Sequence, residues 1–261
     1  MSTEVSDESY HDNITTEIWP SGFAGSKYGL FVVFVSTILF YFSGVLTEYI
    51  RPCVADRQKW RWKNISVSLL HAIISGLWSV ICFRNEPKMM EDLINIATLQ
   101  GHTLISVSVG YFIYDISDML IYQRSRQTLE LLLHHFVIVV CFGIAIVTKV
   151  YVGYGVLALV VELNSIFLHT RQLLQCCGYT RTDRIYRLNS LVNLGTFLGF
   201  RILTLAWMTR WIVINKDLVP LPFYTVGSLG LATMTVMNII LFYRLLKSDF
   251  LRQKESHKKE D

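Results

Sequence analysis

Seven apolar stretches dominate this sequence, and each is close to the length that crosses a lipid bilayer. One crossing needs roughly 20 apolar residues in a helix, and a chain inside lipid must satisfy its backbone hydrogen bonds within the segment. The sequence therefore predicts an all-α fold, a polytopic transmembrane helical bundle of about seven helices. Polar residues interrupt the fifth stretch, so six helices is the alternative. The predicted spans are Tyr28 to Ile50, Ile65 to Phe83, His102 to Tyr122, Leu131 to Val147, Tyr151 to Leu168, Leu188 to Ala206 and Tyr224 to Leu245.

The composition agrees with a protein that works among lipids. Of its 261 residues 52% are hydrophobic and 17% are charged, and the formal net charge is +4. Lys and Arg lie in short clusters between the apolar stretches, which is typical of membrane topology signals and not of nucleic-acid surfaces. We therefore expect membrane lipids as partners and no nucleic acid. The sequence indicates no protein partner.

The distribution of Lys and Arg also predicts an orientation. Most of them fall in the segments that would be cytosolic if the N-terminus lies outside, including the loop Arg51 to Lys63 and the C-terminal tail. Positive charge favours the cytosolic side, so we predict the N-terminus outside and the C-terminus in the cytosol. The sequon Asn13-Ile14-Thr15 would then be a glycosylation site.

We divide the chain into four parts. Residues 1–27 form an acidic tail, which we expect to be retained and disordered because it lacks the basic start of a signal peptide. Residues 28–59 hold the first transmembrane helix and a basic loop. Residues 60–250 form the main membrane domain, and residues 251–261 form a charged cytosolic tail.

Polar and ionisable residues inside the spans are the candidate functional residues, because such groups are costly in lipid unless they have a task or a partner. At about 1.5 Å rise per residue, they lie roughly 5 to 11 Å from the predicted cytosolic ends. Several recur every three or four residues, which places them on one helix face; Glu162, Ser165 and His169 form one such stripe. We therefore predict a chamber open to the cytosolic leaflet. Its candidate residues are His71, Asp115, Asp118, His134, His135, Glu162, Asn164 and Ser165.

The adjacent pair His134-His135 is the strongest of these candidates. Histidines beside Asp115 or Asp118 suit general base chemistry, because a carboxylate fixes the imidazole tautomer and raises its basicity. The same residue types also suit a metal. Adjacent residues point about 100° apart on a helix, however, so both histidines cannot readily bind one ion. We expect no metal.

Some polar residues in the spans have a purely structural interpretation. His71 and the asparagines suit hydrogen bonds between helices, which commonly join transmembrane segments. For Arg201 the sequence leaves two alternatives open: the side chain extends to the membrane surface, or it faces a phosphate group.

Five blocks of the sequence together resemble the TLC-domain superfamily, which includes the ceramide synthases, over about Trp60 to Phe250. They are W-R-W-K-N-I-S-V-S-L-L-H (Trp60 to His71), G-Y-F-I-Y-D-I-S-D-M (Gly110 to Met119), His134-His135, V-E-L-N-S-I-F-L (Val161 to Leu168) and R-L-L-K-S-D-F (Arg244 to Phe250). In the ceramide synthases a similar histidine pair is catalytic. Their H-D-x-S-D element is replaced here by V-E-L-N-S, with Glu162 and Ser165 in the place of two aspartates. That departure argues against ceramide synthesis.

The resemblance also implies a role. Nearer members of the superfamily are described as plasma-membrane proteins that limit the incorporation of long-chain polyunsaturated fatty acids into phospholipids and so set membrane fluidity. The resemblance implies the same function here, with phospholipids that carry polyunsaturated chains as partners. We expect no cofactor. The alternative is an acyltransferase that uses acyl-CoA as a substrate, and whether the protein is an enzyme stays open. We see no internal repeat or paired broken helices that would indicate a transporter.

The location has two interpretations. The resemblance implies the plasma membrane. The final residues, Lys258-Lys259-Glu260-Asp261, match the dilysine pattern that returns membrane proteins to the endoplasmic reticulum, which makes that organelle the alternative.

Overall fold

The computed structural model describes residues 26–123 and 126–251. Within these ranges the regular structure is helical and contains no strand, which confirms the all-α prediction. Asn13 and the Lys258-Lys259 pair lie outside the described residues. The α-helices are α1 (Ser26–Tyr49), α2 (Lys59–Asn85), α3 (Leu99–Tyr122), α4 (Arg126–Thr148), α5 (Val152–Leu159), α6 (Glu162–Cys176), α7 (Arg184–Thr196), α8 (Leu203–Ile214) and α9 (Leu221–Leu246).

Within the described residues, seven continuous helical segments are long and apolar enough to cross a membrane, which confirms the predicted number. The fifth span joins α5 to α6, and the sixth joins α7 to α8 through a π-helical segment, Phe197–Ile202. The second and sixth helical spans begin earlier than the apolar stretches indicate, at Lys59 and Arg184. Charged residues at these ends continue the helix while lowering its local hydropathy, so an apolar stretch marks the membrane core and not the helix ends.

Short 3₁₀ segments complete the connections. They are Cys53–Gln58, Pro87–Met90 and Lys216–Leu218. A second π-helical segment, Lys247–Leu251, follows α9. The orientation of the bundle in the membrane stays a prediction. We use "basic end" for the end of the bundle where α2 begins and α9 ends, and "opposite end" for the other.

Helix α3 lies at the centre of the bundle. Leu104, Ile105 and Phe112 on this helix are almost fully buried, together with Val67 on α2 and Ile146 on α4. Gly110 lets α1 approach α3 closely: a Cβ atom there would lie 2.6 Å from Ser36 Cβ and 2.7 Å from the Val33 carbonyl oxygen. Small residues at such contacts are a common device for close helix packing in membranes.

The connection between α2 and α3 covers the opposite end of the bundle. Met89 and Leu93 in this connection are fully buried, and Leu93 packs with Leu157, Met208 and Leu231 from three other spans. This arrangement joins α5, α8 and α9 at the opposite end.

Ion pairs join the helices at the basic end. Arg171 on α6 donates to the buried carboxylate of Asp249, which also accepts from Ser190 on α7 at 3.0 Å. Arg244 on α9 pairs with Glu130 on α4 at 3.0 Å, and both of these side chains are close to half exposed. These contacts hold the ends of α4, α6, α7 and α9 around an internal cavity.

Candidate functional site

A polar cavity of about 600 Å³ occupies the interior of the bundle near the basic end. We call it the chamber. It is lined by residues of α2, α3, α4, α6 and α9, by Arg201 of the first π-helical segment and by Ser248 of the second. Glu130 and Arg244 contribute to the lining and are close to half exposed, so they mark its mouth. The volume is typical of small-molecule sites, which are roughly 300 to 1,000 Å³.

His135 lies beside Asp115 on the chamber wall. Asp115 Oδ2 is 3.3 Å from His135 Nδ1, and both side chains are almost fully buried. The other carboxylate oxygen of Asp115 accepts a hydrogen bond from the Asn64 amide. The His135 and Asp115 groups are close but not aligned for a hydrogen bond, and His135 Nδ1 has no hydrogen-bond partner among the described residues. The carboxylate is nevertheless the acidic group that lies beside this ring nitrogen.

His134 points to a different part of the cavity system. Its ring centroid is 5.3 Å from that of His135, with an angle of 58° between the ring planes. His134 lines the chamber and also a second cavity, and its Nδ1 has no hydrogen-bond partner in residues 26–123 and 126–251. The two histidines therefore have separate neighbours, as expected for adjacent helix positions.

The second cavity is apolar and has a volume of about 160 Å³. It runs between α4, α5, α8 and α9 to Tyr151 and Phe223 near the opposite end. The second cavity and the chamber share five lining residues: Phe112, His134, Glu162, Arg201 and Asn238. A polar space and an apolar space therefore adjoin in the interior of the bundle, and His134 lies at the point where they meet.

Arg201 is a buried residue at the same junction. Its Nε donates to Asn164 Oδ1 at 2.7 Å, one terminal nitrogen donates to Asn238 Oδ1 at 2.8 Å, and the other donates to Ser165 Oγ at 2.6 Å. The residue is 8% exposed. The sequence left two alternatives open for Arg201. The structure excludes extension to the membrane surface, because the guanidinium is held inside the bundle.

The comparison with protein families identifies the bundle from α2 to α9. The family model described as the TLC domain matches residues 61–247. The chain belongs to the TLC-domain family. The matched region contains every residue of the chamber junction, so the chamber is a feature of the TLC domain itself.

The similar proteins include relatives that carry the name TLC domain-containing protein 2. One from Danio rerio is 54% identical over 213 residues, which cover 80% of this chain and 86% of the relative. One from Homo sapiens is 36% identical and covers 78% of this chain and 76% of the relative. The human TLC domain-containing protein 1 is 35% identical and covers 76% of this chain and 81% of the relative.

Six of the residues predicted from the sequence come together in the TLC domain as lining of the chamber: His71, Asp115, His134, His135, Glu162 and Ser165. His71 stacks on Tyr111, with ring centroids 3.9 Å apart, and Tyr111 donates to Ser68 at 2.9 Å. His71 Nε2 lacks a hydrogen-bond partner in the described ranges. His71 therefore packs against the core and forms part of the chamber wall.

The structure places Asp118 and Asn164 outside the chamber lining. Asp118 pairs with Lys63 at 2.7 Å and accepts from Trp60 Nε1 at 2.8 Å, closer to the basic end. Asn164 binds Arg201 through its oxygen and donates to Asn193 on α7 at 3.0 Å. Asn164 thus holds Arg201 by a hydrogen bond without lining the chamber itself.

Several chamber residues were not among the predicted site residues, and His169, Arg201 and Asn238 are three of them. His169 follows Glu162 and Ser165 on one face of α6, and the periodicity of the sequence had already placed it in that stripe, although it was not among the candidate site residues. Asn238 has no comparable signal in its own sequence neighbourhood. It becomes significant only through its hydrogen bond to Arg201 across the bundle.

The polar side chains that line the chamber are hydrogen-bonding and proton-transfer groups. Across the part of the chain that the structure describes, no group of three or more His, Cys, Asp or Glu side chains has a metal-binding arrangement. The chemistry that these residues can supply directly is base catalysis by an imidazole, orientation by a carboxylate and hydrogen bonding to a polar ligand.

Proposed function

We propose that this protein binds acyl lipids inside its TLC domain and regulates the acyl composition of membrane phospholipids. The proposal includes the specific effect expected for the family, a limit on the incorporation of long-chain polyunsaturated fatty acids into phospholipids, with a consequent change in membrane fluidity. It rests above all on the junction of the polar chamber with the apolar cavity.

An acyl lipid has the same two parts as this cavity system. Its polar group would occupy the chamber, whose lining includes the imidazoles of His71, His134 and His135. Its chain would enter the apolar cavity, which is walled by rigid groups such as Phe142, Tyr154 and Trp211. Rigid walls favour chains of one shape over another, and this gives a physical basis for discrimination between saturated and polyunsaturated chains.

The second candidate function is acyl transfer from acyl-CoA, and the contact between His135 and Asp115 favours it. In that reaction an imidazole takes the proton from an acceptor amine or hydroxyl. The acceptor atom then forms a bond to the thioester carbonyl carbon, the carbon–sulfur bond breaks, and the CoA thiolate leaves and receives a proton. The basic segment Arg51 to Lys63, which includes the start of α2, would attract the CoA phosphates at the basic end.

The experiment for the proposed function is a phospholipid acyl-chain profile by mass spectrometry in cells that lack the protein. The cells re-express either the intact chain or the double variant His134→Ala, His135→Ala. Phe136→Ala is the matched control, because Phe136 is the next residue on α4 and is 61% exposed. The intact chain and the control should lower the polyunsaturated content equally, and the double variant should not. Equal activity of all three at equal membrane levels would contradict the proposal.

A separate assay distinguishes the two candidates. The purified protein is mixed with acyl-CoA and with candidate acceptors, and the release of free CoA thiol is measured. Acceptor-dependent thiol release that is lost in the double histidine variant supports acyl transfer. A protein that alters the cellular profile but forms no acylated product acts by lipid binding.

We further propose the plasma membrane as the site of action, with the C-terminus in the cytosol. Replacing Lys258 and Lys259 by serine should leave the location unchanged. A shift of the variant from the endoplasmic reticulum to the cell surface would instead identify the dilysine ending as a retrieval signal. Loss of a glycan from the Asn13→Gln variant would support the external N-terminus.

A further inference from the structure

Arg201 is a buried cation whose hydrogen-bond partners are neutral. The three acceptors are the side-chain oxygens of Asn164, Ser165 and Asn238. Asn238 donates its own amide hydrogen to Met234, so its oxygen is the atom that faces the guanidinium. None of the ion pairs found among the described residues includes Arg201. A buried charge without a counter-ion is strongly unfavourable, so this arrangement calls for a negative group.

The guanidinium also has unused donors. It carries five N–H groups in a planar fork, and the three hydrogen bonds to neighbouring side chains account for three of them. The Phe197 ring lies 5.6 Å from the guanidinium carbon. Because Arg201 lines both the chamber and the apolar cavity, a ligand that spans the junction would reach the remaining donors.

Glu162 is the carboxylate that shares this junction, and it does not neutralise Arg201 by direct contact. It lines both cavities. Its carboxylate oxygens nevertheless lie more than 4 Å from the Arg201 nitrogens, so the two residues form no ion pair. Asp115 is engaged with Asn64 and lies beside His135. Asp249 and Asp118 are engaged by Arg171 and Lys63. No carboxylate among the described residues therefore forms an ion pair with Arg201.

We propose that Arg201 binds the oxyanion of an acyl lipid, with the acyl chain in the apolar cavity. The group is either the carboxylate of a fatty acid or the phosphate of a phospholipid, because both offer the paired oxygens that an arginine fork recognises. The proposal rests on the proposed function, since it assumes that the cavities hold an acyl lipid. It adds the chemical group that is recognised and the residue that recognises it.

The test is a binding measurement with probes that share one chain and differ in the polar group. Detergent-solubilised full-length protein is titrated with oleate, with oleoyl lysophosphatidate and with the uncharged oleyl alcohol, at a pH where the carboxylate is ionised. At least one anionic probe should bind about tenfold more tightly than the alcohol, as expected for hydrogen bonds to a charged group. The oleate arm and the lysophosphatidate arm identify which oxyanion is recognised.

Variants then assign the preference to the residue. Arg201→Gln should reduce the ratio between the anionic probe and the alcohol to about twofold or less. Arg201→Lys should retain part of it, because the charge remains while the fork is lost. The matched control is Arg210→Gln, since Arg210 is an exposed cation on the same span and does not line either cavity. Its ratio should equal that of the unmodified protein.

The outcomes separate this inference from the proposed function. Equal binding of the anionic probes and the alcohol by the unmodified protein would overturn the role of Arg201 while supporting an acyl-lipid site. Failure of all three probes to bind would overturn both. The unmodified protein alone decides these two outcomes, so they do not depend on whether Arg201→Gln folds. An Arg201→Gln variant that folds and keeps the full preference would also overturn the assignment.

Discussion

Asp115 and His135 lie on neighbouring helices, with Asp115 Oδ2 3.3 Å from His135 Nδ1 and both side chains almost fully buried. The pair is fixed from one side by the Asn64 amide, which donates to Asp115. The other histidine, His134, lies where the polar chamber meets the apolar cavity. Orientation of one ring and placement of the other at the junction are the features that make this site suitable for chemistry on, or selection of, an acyl lipid.

Replacing Asp115 by asparagine should remove most of the effect of the protein on phospholipid acyl composition. The substitution keeps the shape of the side chain and removes the charge that orients His135. If the protein is an acyltransferase, the rate of thiol release should fall by roughly 10²-fold or more, the usual contribution of a general base. Acyl-chain profiling and the thiol assay measure the two effects.

The control for Asp115→Asn is Ser117→Ala, because Ser117 is an exposed residue on the same helix whose hydroxyl donates to its own helix. The double variant Asp115→Asn, His135→Ala should be no worse than His135→Ala alone, since residues that act together are not additive. Full activity of Asp115→Asn at normal membrane levels would show that the carboxylate does not serve the histidine.

The ion pairs of Arg171 and Arg244 at the basic end should differ in their contribution to stability. Arg171→Gln leaves the buried carboxylate of Asp249 without its charged partner, which should cost about 3 to 5 kcal/mol in the free energy of unfolding. Arg244→Gln breaks a pair whose side chains are close to half exposed, which should cost about 1 kcal/mol or less. Thermal unfolding in detergent compares the variants, and equal losses would contradict the assignment of the buried pair.

Gly110 and Gly143 should respond differently to the same substitution. A methyl group at Gly110 would meet α1 at 2.6 Å, so Gly110→Ala should destabilise the protein by about 1 to 3 kcal/mol. At Gly143 nothing lies within 4 Å of the added carbon, and Gly143→Ala should be neutral or stabilising by up to about 1 kcal/mol. A lower melting temperature for Gly143→Ala than for Gly110→Ala would contradict the packing of α1 on α3.

Filling the apolar cavity should change acyl selectivity without abolishing lipid binding. Gly230 lines that cavity, and a Cβ atom there would be 3.3 Å from the Sγ atom of Cys141, which can move. Gly230→Leu should therefore shift the acyl profile toward shorter chains, whereas Gly195→Leu, at an exposed glycine with no neighbour within 4 Å, should leave it unchanged. An identical profile for Gly230→Leu and the unmodified protein would exclude this cavity as the chain site.

The number and position of the spans could be predicted because apolar length is a local property of the sequence. The ends of the helices could not, since Lys59 and Arg184 extend them beyond the apolar stretches. Asp115 and Asp118 illustrate the limit for the site. They share one face of α3, so their spacing does not tell which of the two lies beside a histidine. In the structure Lys63 on α2 pairs with Asp118, and Asp115 lies beside His135.

The interior position of Arg201 is a second case in which the sequence is insufficient. Its partners come from α6 and α9, at sequence separations of 36 and 37 residues. Polar residues that satisfy one another across a bundle leave no local pattern, so only the packed structure brings them together. Periodicity did place His169 with Glu162 and Ser165, because all three lie on one helix.

Photocrosslinking of a bound acyl lipid tests the central claim most directly. A fatty acid that carries a diazirine near the middle of its chain is fed to cells, the protein is isolated after irradiation, and the labelled peptides are identified by mass spectrometry. An acyl chain in the apolar cavity should label its walls, such as Cys141, Met208 and Met234, and excess oleate should compete. Labelling confined to outward-facing residues such as Phe31 and Phe34, both 64% exposed, and insensitive to competition would contradict an internal acyl-lipid site.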